Sequence, residues 1–135
     1  MTQPVYKILL FLKRRPGMSV DDFRQYYETS HVKLCEKYAV GALRYVRRFL
    51  DPVGGEEMPF DVITEVWLAD KAVFEAVCEF TAKNEPPPEV LEDELRLFDR
   101  SKSRTATVVE YESDMDAIAA TYGGARAQSR GPTQS

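Results

Sequence analysis

Histidine is almost absent from this chain: among 135 residues only His31 carries an imidazole. That scarcity removes any histidine-rich metal site. The two cysteines, Cys35 and Cys78, have no CxxC spacing and no paired histidine, so neither a zinc site nor a disulfide framework is indicated. Free, buried thiols in a reducing cytoplasm are the expectation. No acidic triad at metal spacing and no glycine-rich phosphate loop occurs, so neither a metal nor any other cofactor is expected. Long apolar runs are lacking as well. Val5 to Leu12 is interrupted by Lys7 and followed by Lys13, Arg14, Arg15 and Pro16 without a small-residue cleavage site, which argues against a signal peptide and a membrane span. A basic excess is missing too: the net charge is −4, and nucleic acid is not the expected partner.

What is present suits one hydrophobic core, because a chain of this length is one domain by ordinary size, with 44% hydrophobic and 30% charged residues. Charge is unevenly spread. Residues 1–50 hold ten Lys/Arg against four Asp/Glu, and residues 51–100 hold four against fourteen, so the fold must bring the halves together. Arg44, Arg47 and Arg48 make a local basic run, but on a strand they point to alternating faces and form no single patch.

Val5 to Lys13 is apolar on both alternating faces and reads as a strand buried on both sides. Pro16 and Gly17 break it. Ser19 then caps a helix with Asp22 three residues on and Phe23 on its apolar stripe, running to about Tyr38 with an irregularity at Thr29, Ser30 and His31, where weak helix formers precede a renewed stripe. Leu43 to Leu50 is a second strand, Asp51 to Pro59 a loop, and Phe60 to Leu68 a third strand with Glu65 and Trp67 on one face. Asp70 caps a helix from Lys71 to about Lys83, with Val73, Phe74, Val77 and Phe80 as its buried stripe. Pro86 to Pro88 stop it, Glu89 to Phe98 forms a short helix, and Thr105 to Tyr111 a fourth strand. Residues 1–112 make the domain, and 113–135 read as a flexible tail or an arm over a partner subunit, with at most a helical turn near Met115 to Ala120.

The β-α-β doubling predicts an α+β, ferredoxin-like βαββαβ fold, a four-stranded antiparallel sheet with helices on one face. Leu9, Phe11, Tyr45 and Trp67 are too apolar for a water-facing second face, so a twofold homodimer packing sheet on sheet around a cavity is expected.

The blocks Phe11-Leu12-Lys13-Arg14-Arg15-Pro16-Gly17-Met18-Ser19, Asp21 to Tyr27 and His31 resemble the signature of the EthD-like family. Arg44-Tyr45-Val46, Phe60 to Trp67 and Leu97-Phe98-Asp99 follow in matching order, covering roughly residues 5 to 112. The triple proline and the Gly/Ala/Gln tail depart from the pattern. The resemblance implies a dimeric α/β barrel. It also implies either ether degradation beside an oxygenase system or, as in fungal polyketide pathways, decarboxylation or dehydration.

His31 is the leading candidate for proton transfer, since histidine titrates near neutrality; the alternative is that it satisfies the irregular helix turn. Glu65 either lines a polar spot of a cavity, where burial would raise its pKa, or pairs with Arg14, Arg44, Arg47 or Arg48. Tyr45 is the other candidate catalytic partner, and Phe11, Leu9, Trp67 and Arg14 are candidate substrate-binding residues. The expected function is cofactor-independent chemistry on a small hydrophobic, aromatic or polyketide-like ligand: decarboxylation, dehydration, cyclisation or assistance to an oxygenation. The alternatives are a noncatalytic accessory protein that hands on a hydrophobic intermediate, and a structural dimer without a cavity.

Overall fold

The computed structural model describes residues 4–123. Strand β1 (Tyr6–Leu12) leads into a turn in which Gly17 takes φ +84° and the Met18 N–H donates to the Arg15 carbonyl at 3.2 Å. That left-handed angle suits glycine and is strained for any side chain. Helix α1 (Val20–Tyr26) begins where the Ser19 hydroxyl accepts from the Asp22 N–H at 3.1 Å, with Asp21 and Asp22 against the positive end of the helix dipole. The expected irregularity is a π-helical turn, Tyr27–His31, closed by the Val32 N–H on the Tyr27 carbonyl, and the chain continues as α2 (Val32–Glu36). The extra residue in that turn lets Tyr27, His31 and Val32 all be buried.

Strands β2 (Arg44–Phe49) and β3 (Val62–Leu68) follow, then α3 (Lys71–Lys83), α4 (Pro88–Leu97), a 3₁₀ turn at Arg100–Lys102, β4 (Arg104–Thr107) and α5 (Met115–Tyr122). Strand order is β2-β3-β1-β4, antiparallel throughout, which is the ferredoxin-like arrangement. Beyond Thr107, which pairs with Ile8, β1 has only Lys7 and Tyr6 left, so β4 stops well short of Tyr111. The third strand likewise starts at Val62, and Phe60 instead packs on Phe11 with ring centroids 5.4 Å apart. Of the expected tail, Met115–Tyr122 is helical, and residues 124–135 lie outside the described residues.

Register decides which face each side chain joins. Tyr45 pairs with Val66 and Arg44 with Trp67, so Tyr45 lies on the helix-covered face with Ile8, Leu10, Leu12, Thr64 and Val66. Its expected place beside Leu9, Phe11 and Trp67 is therefore corrected. The core of Leu12, Phe23, Tyr27, Val32, Val62, Leu97 and Phe98 sits under α1, α2 and α4. Burying a side chain such as Phe23 contributes roughly 2–3 kcal/mol. By contrast, α3 has no buried residue; Val73 and Phe80, expected on a buried stripe, are half exposed and line open cavities.

Charged halves do meet across the fold. Arg14 pairs with Asp61 and Glu57, Arg48 with Glu65, and Lys13 with Glu57. Both cysteines are free and only partly buried. No helix among the described residues is long and apolar enough to cross a membrane.

Candidate active site

The π-helical turn holds His31 inside an aromatic cage. Its ring meets Tyr27 edge-on at 4.9 Å and Phe98 at 5.2 Å, and the residue is 4% exposed. From α4, Asp93 brings a buried carboxylate to within 2.7 Å of His31 Nδ1 through Oδ2, while Oδ1 accepts from the Tyr26 hydroxyl at 2.5 Å. That hydrogen bond to Asp93, aided by burial, raises the Tyr26 pKa and keeps its hydroxyl a donor. With Asp93 accepting at Nδ1, the ring proton is held there and the Nε2 lone pair is left available.

Nε2 faces Cys35 Sγ at 3.5 Å. Tyr45 lines the same cavity as Cys35, and burial raises the Tyr45 pKa, so its hydroxyl remains a proton donor. Deeper, the Tyr27 and Thr64 hydroxyls hydrogen bond to each other. His31, Cys35, Tyr45, Tyr27 and Thr64 line an open cavity of about 300 Å³ between the sheet and helix α3, with Tyr38, Val66, Val73 and Val77 also in its wall. A second cavity of about 490 Å³ adjoins it, sharing Cys35, Tyr38 and Phe98 and reaching Phe80 and Pro87. Within this chain, then, the space beside His31 lies on the helix side of the sheet and not on the face expected to meet a second sheet.

The candidate residues consequently divide. His31 and Tyr45 come together. Leu9, Phe11, Glu65 and Trp67 lie on the opposite face. There Glu65 accepts from Arg48 Nε at 2.5 Å and from Trp67 Nε1 at 2.9 Å. The arginine bond outweighs desolvation and lowers the Glu65 pKa, so of the two expected alternatives Glu65 takes the pairing with Arg48 and not the raised carboxyl of a cavity. Trp67 is itself flanked by Lys7 and Arg44, whose charges lie 3.9 and 4.6 Å from its ring. Arg14 stands at the end of β1 and spends its donors on Asp61, Glu57 and the Met18 carbonyl, bracing the turn into α1.

The sequence model of the EthD domain matches residues 15–101, spanning α1 to α4 and the π-helical turn. The chain belongs to the EthD domain family. Among solved structures, an EthD family protein from Bacillus halodurans C-125 is similar at 15% identity, covering 78% of this chain and 99% of its own, with a TM-score of 0.54. An EthD-like protein from Ralstonia eutropha JMP134 is similar at 17% identity over 84% and 99% of the two chains, TM-score 0.52. An Arabidopsis thaliana protein is similar at 15% identity over 81% and 98%, TM-score 0.50. At such identities these likenesses establish the fold of this EthD domain alone. No curated protein matches the chain.

Asp93 is the residue of this candidate site that sequence reasoning missed. A signal was present: Val90, Asp93 and Leu97 recur at helical spacing and all three are buried, so a carboxylate occupies a position where the apolar stripe calls for a hydrophobe. Cys35 was read only as a thiol, because its neighbourhood with His31 one helical turn earlier gains meaning only from the cavity beside both.

Proposed function

We propose that this EthD domain is a cofactor-independent enzyme that moves a proton on a small hydrophobic, aromatic or polyketide-like molecule bound between the sheet and α3. His31 is the general acid or base. The observation that carries this reading is the 2.7 Å contact of His31 Nδ1 with Asp93, which sets the imidazole in one tautomer with Nε2 at the wall of an apolar cavity. The orienting role expected of Glu65 falls to Asp93. Tyr45 supplies a neutral phenol able to hydrogen bond a substrate carbonyl, and an enolate formed there gains from the same donor. Such a site serves decarboxylation, dehydration or cyclisation, or the proton movements that assist an oxygenation.

A homodimer completes the reading. The outer sheet face carries Leu9, Phe11, Ile63 and Trp67 only partly covered, and packing against a second copy buries them.

The test is turnover of benzoylacetate, an aromatic β-keto acid, by the full chain and by His31→Gln, with product followed chromatographically and ligand binding by thermal shift. Loss of turnover with retained binding supports the enzyme. Binding by both proteins with turnover by neither identifies a carrier and overturns the proposal.

A further inference from the structure

Proton transfer by His31 leaves the Cys35 thiol unused, yet this sulfur is the nucleophilic atom nearest the imidazole. Cys35 lies one helical turn after His31, and Sγ is 3.5 Å from Nε2, the nitrogen that Asp93 leaves free. Sulfur, imidazole and carboxylate follow one another in the order nucleophile, base and orienting acid. Cys35 lines both cavities, so its sulfur has open volume before it. Among the described residues no group of three or more His, Cys, Asp or Glu is placed to hold a metal ion, so this cluster is not a ligand set.

We propose that Cys35, His31 and Asp93 form a thiol acyl-transfer centre for an activated acyl compound, an ester or thioester whose acyl part is small and apolar. The thiol proton passes to His31 Nε2 as Sγ attacks the carbonyl carbon. An S–C bond forms, and the oxyanion accepts from the Tyr45 hydroxyl. The bond from the carbonyl carbon to the leaving oxygen or sulfur then breaks, and the departing alcohol or thiol takes the proton from Nε2. Water attacks the resulting acyl-cysteine, giving a proton to Nε2 that returns to the sulfur as the carboxylic acid leaves. No oxidant or further reactant enters.

Burial pushes the Cys35 thiol up to about 12, so the resting sulfur keeps its proton, which moves during attack rather than before it. The centre rests on the same His31–Asp93 pair as the proposed function.

The experiment treats the full chain with p-nitrophenyl butyrate, following p-nitrophenolate release and mapping the acylated peptide by mass. Cys78 is an internal reference, since the chain's single imidazole is at Cys35. The expected result is a burst of release with the butyryl group on Cys35, formed about a hundredfold faster than at Cys78. His31→Gln should remove about the same factor at Cys35 and none at Cys78. Equal acylation of the two cysteines overturns the proposal, as does full Cys35 reactivity in a folded His31→Gln. If that variant does not fold, the ratio in the unmodified protein decides alone. Benzoylacetate turnover without a Cys35 adduct sinks this inference and spares the proton-transfer reading; an adduct without that turnover does the reverse.

Discussion

One carboxylate, that of Asp93, joins two helices: Oδ2 lies 2.7 Å from His31 Nδ1 and Oδ1 accepts from Tyr26 at 2.5 Å. Because the group is buried, removing the carboxylate leaves each partner without an acceptor and without water to replace it. Asp93→Ala should therefore cost about 2–3 kcal/mol in a denaturant titration. Asp93→Asn, which keeps the shape and an acceptor for Tyr26, should cost less while still lowering turnover. An Asp93→Ala protein as stable as its parent would show that this contact does not organise the site.

His31→Ala separates chemistry from packing. Turnover should fall about a hundredfold to ten-thousandfold, with binding much less affected. Loss of packing in the aromatic cage and of the hydrogen bond to Asp93 should cost about 1 kcal/mol or somewhat more in a thermal melt. A variant that is less stable but equally active removes the catalytic role.

Glu65 gives a pH signature on the other face. Its pKa is lowered from the ordinary 4.5 by Arg48, so the pair stabilises the fold above 4.5 and that stability is lost as pH falls through the lower folded value. Glu65→Gln should be less stable than the parent by about 1 kcal/mol at neutral pH, since Arg48 is half exposed and screened. The difference should shrink below pH 4.5. A gap independent of pH, measured by urea titration at several pH values, rules out this linkage.

Placing a charge at Phe11 should weaken the proposed dimer. Phe11→Asp sets a carboxylate beside Phe60 and Ile63 on the face taken to be covered, where unpaired burial costs several kcal/mol, on the order of 2–7 for a polar group. Light scattering at micromolar concentration should show dimer for the parent and monomer for the variant; a monomeric parent removes the reason for sheet-to-sheet packing.

Ending the chain at residue 113 should leave the domain folded. Helix α5 has no buried residue, and Met115 and Tyr122 are exposed. Insolubility of the shortened chain, or loss of its dimer, would instead make this segment an integral arm.

Several features are dictated locally. The Ser19 and Asp70 caps accept the N–H groups that their spacing implies, and the weak helix formers around Thr29 mark where the π-helical turn occurs. Strand alternation separated two sets of side chains on each strand, and the β-α-β order brought the ferredoxin-like sheet within reach. Alternation has period two, however, and cannot say which set meets the helices. Only pairing with Val66 put Tyr45 on the side of His31, and only the pairing of Leu9 with Glu65 put that carboxylate on the opposite face. The apolar stripe of α3 was legible as well, but a helix covers a cavity or fills a core with the same residues, so the stripe alone does not say which. The sequence by itself determined the elements and the lone imidazole, because these follow from neighbours a few positions apart. The tertiary structure decided its partners, Asp93 and Cys35: a carboxylate 62 residues away meets a histidine only when two helices pack, and a thiol one turn away faces open space only where sheet and helices leave a cavity beside it.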